Sequence, residues 1–289
     1  MQPSAPILSK FTPSRGVALA VHSWGGDGPP VLLAHPTGFH GRAWAPVARR
    51  LVAAGRSVWS FDFRGHGDSD PSPDGRYSWH EFADDALAVT HHLGLAGDSE
   101  LLACGHSKGG AALMLGALRE PDAYPRLWCY EPIVVASELA MPDGIDNPLS
   151  RSALRRRAEW SSRAEARESY GSKEPLDALH ADALDAYVDY GMRDLDDGGV
   201  ALKCAPEHEA QMYAMSARNG LYEHLSEVPV PVLVACGATS NSITPQLATR
   251  IVELLPRGTL EVWEARGHFG PLEDPDRAVV SMLEFATKP

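Results

Sequence analysis

A chain of 289 residues, 44% hydrophobic and 22% charged, has the composition of a globular protein and is long enough for one large core or two ordinary ones. Its formal net charge of −12 opposes a phosphate backbone, which attracts protein mainly through Lys and Arg, so nucleic acid is not an expected partner. No apolar run approaches the roughly 20 residues of a bilayer span, and "MQPSAPILSKFTPS" lacks both the basic lead and the continuous apolar stretch of a secretory signal; the expectation is a cytoplasmic protein with no membrane span.

In chain order, "FTPSRGVALAVHSWG" reads as two extended segments around a Pro/Gly turn, an antiparallel hairpin. Short, fully apolar runs follow: "PVLLAH" (30–35), "SVWSFDF" (57–63) and "LLACGH" (101–106), the pattern of strands buried on both faces of a parallel sheet. Between them lie two helical stretches, "AWAPVARRLVAAG", closed by Gly55, and "SWHEFADDALAVTHHLGL", where Ser78 is the expected N-cap with Glu81 three residues on. After Ser107 the alternation resumes with "GGAALMLGALRE", "RLWCYEPIVV", "VPVLVACGA", "TPQLATRIVELLP", "TLEVWEA" and "DPDRAVVSMLEFAT". Alternating strands and crossover helices imply an α/β, doubly wound, mostly parallel sheet.

One stretch departs from this rhythm. From about Ser137 to Val228 there is no convincing strand, only helical periods such as "LDALHADALDAYVDYG" and "PEHEAQMYAMSARNGLYEHL". The expected organisation is a catalytic core of residues 1–136 and 229–289, interrupted by a helical cap at 137–228 over the strand ends. Within it, "RSALRRRAEWSSRAEAR" (Arg151 to Arg167) interleaves arginines with Glu159 and Glu165 and reads as a solvated helix face.

Cys104, Cys129, Cys204 and Cys236 show no close-paired spacing, and three of them lie in apolar strand-like runs; small core residues are expected, not ligands or disulfides. The twelve histidines follow no HExxH pattern. His35/His40 and Cys204/His208 are spaced as metal ligands sometimes are, but the expectation is no metal and no cofactor.

The chemistry concentrates in "LLACGHSKGG". Ser107 follows an apolar strand, opens a helix, and is flanked at two residues on either side by Gly105 and Gly109. A serine on so tight a strand-to-helix turn is exposed as a nucleophile, and the turn's backbone has no room for side chains at 105 and 109. Together with "LLAHPTGFHGRAW", "FDFRGHGDS" and "GHFGPLEDP" in this order, the motif resembles the α/β-hydrolase fold superfamily over nearly the whole length outside the cap.

The resemblance implies an eight-stranded sheet and assigns the general base to His268 in "EARGHFGPLEDP", a role that imidazole chemistry suits near neutral pH. It assigns the oxyanion donors to the backbone N–H groups of Thr37 and Lys108. His106 and His66 are expected to be packing residues. The acid departs from the commoner pattern, since after the seventh strand stand Thr239, Ser240, Asn241 and Ser242, with no carboxylate. Parts of the family carry the acid after the sixth strand, where "RLWCYEPIVV" supplies Glu131, 24 residues after Ser107. A carboxylate in an apolar run is costly to desolvate without a partner, and a histidine N–H would be one. Glu273, Asp274 and Asp62 are competing acids; the first two are also placed to cap the last helix. The side chain of Lys108 is expected to reach solvent or a cap carboxylate; the alternatives are that its ammonium favours an anionic substrate or lowers the serine pKa.

These residues imply a serine hydrolase of a small-molecule carboxylic ester or lactone, acting through an acyl-enzyme. Carbon–carbon bond hydrolysis with the same residues and a non-catalytic ligand receptor on the same fold are the alternatives; dehalogenase and epoxide-hydrolase chemistry, which use an aspartate nucleophile, are disfavoured by a serine at 107. The expected partner is an apolar or amphipathic small molecule, with monomer and homodimer both open. Cap aromatics, Trp160, Tyr170, Tyr187, Tyr190, Tyr213 and Tyr222, serve either as pocket lining or as the cap's own core.

Overall fold

The computed structural model describes residues 5–14 and 16–288. β1 (Ile7–Phe11) and β2 (Leu19–Gly25) pair antiparallel as expected; Arg15, within the expected Pro/Gly turn, and residues 1–4 lie outside the described residues. β3 (Pro30–Ala34), β4 (Ser57–Asp62), β5 (Leu102–His106) and β6 (Leu127–Tyr130) follow, and β3, β5 and β6 are buried at every residue. Such strands need apolar side chains on both faces, which is why they appear in sequence as continuous apolar runs.

The eight-stranded sheet has the order β1-β2-β4-β3-β5-β6-β10-β11, with β10 at Val232–Gly237 and β11 at Gly258–Trp263. β2 runs antiparallel to β1 and β4; every pairing from β4 onward is parallel. Strand alternation sorts side chains into two cores. Leu32 and Ala34 join a cluster with Phe82 of α2 (Trp79–His92), Leu113 of α3 (Lys108–Arg119) and Ile251 of α8 (Pro245–Leu254). Val31 and Leu33 join the opposite one, with Leu51 of α1 (Ala45–Ala53) and Phe285 of α10 (Pro275–Ala286), the last preceded by the short α9 (Gly270–Glu273). Ser78 caps α2, its hydroxyl accepting from the Glu81 N–H.

Residues between β6 and β10 form α4 (Pro148–Leu154), α5 (Arg163–Gly171), α6 (Ala181–Gly191) and α7 (Pro206–Ala214). The expectation of helices alone is corrected. β7 (Glu159–Trp160), β8 (Met192–Asp194) and β9 (Val200–Leu202) make a small antiparallel sheet in the order β7-β9-β8. Strands of two or three residues are too short to display a period of two. The arginine-rich stretch is likewise not one solvated helix: it divides into α4, β7 and α5, and Arg156 turns inward to pair with Glu209 and to donate to the Tyr187 hydroxyl at 2.6 Å. Among the described residues no helix is long and apolar enough to cross a membrane.

Candidate active site

β5 ends at His106 and α3 begins at Lys108, so Ser107 alone makes the turn, with φ 55° and ψ −117°. This left-handed conformation costs a side-chain-bearing residue about 1–3 kcal/mol and persists only where its surroundings hold it. Here the Ser107 N–H donates to the Tyr130 carbonyl at 2.9 Å, and its own carbonyl accepts from Ile133 N at 3.2 Å. A Cβ at Gly105 would lie 2.5 Å from Gly110 N, and one at Gly109 would strike the Ala34 carbonyl of β3. Both glycines are therefore required for α3 to pack so close to the strands. Ser107 occupies the N-cap position of α3, but its side chain accepts no capping bond.

Glu131, the first residue past β6, also has positive φ, at 43°, and is fully buried. Its N–H donates to the Ala235 carbonyl of β10 at 2.8 Å, which turns the side chain toward the loop after β10. Oε1 accepts from Gly237 N at 3.0 Å; Oε2 accepts from the Ser240 hydroxyl at 2.7 Å and from His268 Nδ1 at 2.6 Å, with Ile243 N at 3.4 Å. These donors offset the desolvation of a buried carboxylate. The segment "ACGATSNS", which contains no acid of its own, is thus what solvates Glu131. That role of Ser240 and of the Gly237 amide was not legible in the sequence.

His268 follows β11 on a loop pinned from several sides. Its carbonyl accepts from His106 Nε2 at 2.7 Å, and the Gly267 carbonyl accepts from the Tyr130 hydroxyl at 2.7 Å. Glu273 accepts from Gly267 N and Phe269 N, both at 3.1 Å. Its placement as a cap of the last helix is corrected: Asp274 caps α10, accepting from Arg277 N, while Glu273 turns back because the loop amides need an acceptor. Asp62 is engaged elsewhere, with His22 Nε2 at 3.0 Å, Gly41 N at 2.6 Å and Asp68 N at 2.8 Å. Burial pushes its carboxyl up, but the charge and hydrogen bond of His22 prevail and hold it well below the usual range. The structure thus brings Glu131, not Asp62 or Glu273, against His268 Nδ1. His106, as expected, packs: its ring lies against Trp44, Tyr130 and Phe269.

Thr37 stands on the turn after β3. His35 donates through Nδ1 to the Pro36 carbonyl at 2.7 Å and accepts Phe63 N at Nε2, 3.0 Å away. His66 donates through Nδ1 to the Arg64 carbonyl at 2.9 Å and accepts Gly38 N at Nε2, 3.2 Å away. Burial and the nearby Lys108 cation push both imidazoles well below their ordinary pKa, so they act as neutral props of the 36–38 turn. The Lys108 N–H belongs to the first turn of α3, whose amides have no intrahelical acceptor.

The Lys108 side chain is where expectation and structure part. It reaches neither solvent nor a cap carboxylate at ion-pair distance. It is 1% exposed, its Nζ 3.2 Å from His66 Nε2 and 4.4 Å from the ring centres of both Phe63 and Phe82. The first turn of a helix packed onto the sheet leaves the side chain no course to water. Burial pushes the ammonium down to about 7, against attraction from Cys204, Asp85, Glu209 and Asp62.

All four cysteines are free and buried. Of the residues in the two ligand pairs, His35 engages both ring nitrogens with backbone groups, His40 Nε2 faces the Tyr187 carbonyl and His208 Nδ1 the Tyr77 hydroxyl. Among the described residues, His22, Asp62 and Asp68 are near enough to share an ion, but Asp68 is paired with Lys203 at 2.6 Å and Asp62 is saturated by N–H donors. Of the six aromatics named for the insertion, Tyr187 borders a cavity of only about 10 Å³ with Gly38, Phe39, His40, Arg156 and Cys204 and is otherwise packed in the second core, where Trp160 packs on Tyr170.

The sequence profile of the Alpha/beta hydrolase family matches residues 31–282, and the chain belongs to that family of hydrolases. It is 28% identical over 285 residues to the non-heme chloroperoxidase CPO-A1 of Kitasatospora aureofaciens, covering 94% of this chain and 97% of that protein. It is 26% identical over 285 residues to the esterase Rv0045c of Mycobacterium tuberculosis, covering 92% and 85% respectively. Among solved structures, E-2-(acetamidomethylene)succinate hydrolase superposes with a TM-score of 0.80 at 20% identity, over 98% of this chain and all of that one, a likeness of fold.

Proposed function

We propose that this α/β hydrolase is a serine esterase acting on a small-molecule carboxylic ester or lactone, with Ser107, His268 and Glu131 as its catalytic triad and residues 137–228 as a cap over the site. The observation that carries the reading is the 2.6 Å bond from His268 Nδ1 to the buried Glu131. With Nδ1–H donated to Glu131, Nε2 is left as the basic nitrogen. Ser107 Oγ attacks the carbonyl carbon as its proton passes to Nε2, and the imidazolium so formed is stabilised by Glu131. The oxyanion is received by the N–H groups of Lys108 and Thr37. Collapse returns the proton to the leaving alcohol, and water, deprotonated by the same nitrogen, releases the acid. An esterase among the full-length relatives supports ester cleavage as the reaction. The test is covalent labelling by a fluorophosphonate probe, with peptide mapping. Labelling at Ser107 that disappears in Ser107→Ala is expected; a parent protein that stays unlabelled while a control hydrolase reacts would instead favour the ligand receptor.

A further inference from the structure

His106 ends β5 and stands directly before Ser107 in the chain. Side chains alternate along a strand, so His106 shares a face with Leu102 and Cys104, the face whose core includes Trp44 and Tyr130. Its register partner on β6 is Tyr130. From these neighbouring positions the two side chains donate to successive carbonyls of the loop after β11, Tyr130 to Gly267 and His106 Nε2 to His268, each at 2.7 Å. The amides on that loop, Gly267 N and Phe269 N, both go to Glu273 at 3.1 Å. Side chains thus hold the peptide groups on both sides of His268, and one of them belongs to the residue adjoining Ser107.

Packing alone does not account for a histidine at this position. The ring is fully buried, and burial together with the neighbouring His268 pushes it well below its ordinary pKa, so it stays neutral with a single N–H. A carbonyl can only accept, which puts that proton on Nε2 and leaves Nδ1 a bare acceptor. Nδ1 has no hydrogen-bond partner among the described residues. A phenylalanine would fill the space against Trp44 and Phe269 without the cost of an orphaned buried nitrogen. What the histidine adds is one N–H on a rigid ring, aimed at the His268 carbonyl. We propose that His106 is a positioning residue for the reaction: its Nε2–H ties the peptide of His268 to the strand that ends at Ser107, and so fixes the spacing of base and nucleophile. The inference rests on the esterase reading for the roles of those two residues. Catalytic groups must be held within about 0.5 Å of their productive geometry. Glu131 sets the rotation of the His268 ring through Nδ1, and His106 sets where its backbone stands.

Two substitutions separate positioning from packing. His106→Phe keeps a flat ring and removes the donor, whereas His106→Gln places an amide N–H near the position of Nε2–H. On p-nitrophenyl acetate, His106→Phe should lower kcat about 10–100-fold with KM little changed, and His106→Gln should recover most of the loss. The rate at which a fluorophosphonate labels Ser107 should follow kcat. In protein carrying isotope-labelled histidine, the His268 Nδ1 proton, shifted far downfield by its 2.6 Å bond to Glu131, should be sharp in the parent and in His106→Gln and broadened or lost in His106→Phe, with thermal unfolding showing that each variant is folded. A folded His106→Phe with parental kcat, an effect confined to KM, or a folded His106→Gln no better than His106→Phe would each overturn the inference. If His106→Phe does not fold, His106→Asn, whose amide is too short to reach the carbonyl, replaces it, and equal kcat in the Asn and Gln variants overturns the inference. A parent that cleaves no ester and leaves Ser107 unlabelled would overturn the esterase reading instead; the proton resonance, which needs no substrate, then decides whether His106 fixes the His268 ring.

Discussion

Replacing Lys108 by methionine should make the protein more stable, and by an amount that depends on pH. The ammonium is held at about 7 by burial and titrates near 10.4 in an unfolded chain, a gap worth about 4–5 kcal/mol at 1.36 kcal/mol per pH unit. Between those two values the unfolded chain keeps the proton and the folded chain does not, so the parent gains stability as pH rises from about 7 and carries the full cost below it. The faces of Phe63 and Phe82 return roughly 0.5–2 kcal/mol each to the charged form, which leaves a net penalty on the order of 1–3 kcal/mol at pH 6. Methionine is unbranched, of similar length, and fills the same aromatic slot without a charge. Urea denaturation at pH 6 should show Lys108→Met more stable by that amount, and at pH 9.5 the difference should shrink. A variant less stable than the parent at pH 6, or a difference equal at both pH values, would refute the picture of an uncompensated buried cation.

Three further outcomes follow from the same geometry. Glu131→Gln keeps the Ser240 and Gly237 contacts partly satisfied but removes the charge opposite imidazolium, so kcat on a chromogenic ester should fall about 10³–10⁴-fold with thermal unfolding little changed; near-normal kcat would remove Glu131 from the mechanism. Gly109→Ala drives a methyl into the Ala34 carbonyl and should lower urea stability by about 1–3 kcal/mol, with a further loss of activity as Ser107 is displaced; a silent substitution would contradict the required close approach. His35, His66 and His106, pushed well below their ordinary value by burial, and His40, pushed down to about 4, stay neutral when folded. The unfolded chain takes up their protons below about 6.5, so stability is intact above that value and should fall steadily from pH 6.5 toward pH 4 in urea titrations; a flat profile would contradict it.

Much of this architecture is written locally. Strands buried on both faces must be apolar at every position, so β3, β5 and β10 announce themselves, and Gly105-x-Ser107-x-Gly109 is legible because a turn that tight excludes Cβ atoms on both sides. Glu131 could be found because a lone carboxylate in an apolar run needs a partner. What was not legible depends on segments far apart in the chain meeting: the donors that Gly237 and Ser240 bring to Glu131, the return of Glu273 onto the His268 loop, and the small β7-β9-β8 sheet.

Lys108 marks the boundary most sharply. Its sequence position determines that its amide starts a helix directly after Ser107, and by itself a lysine there is expected to find water. Only the packing of α3 against the sheet, with α2 beside it and the insertion across the turn at Gly38, decides that the ammonium is buried against His66, Phe63 and Phe82. Periodicity and turn chemistry act over a few residues and can be read in one dimension, whereas desolvation is set by whichever surfaces close over a group once the chain has folded.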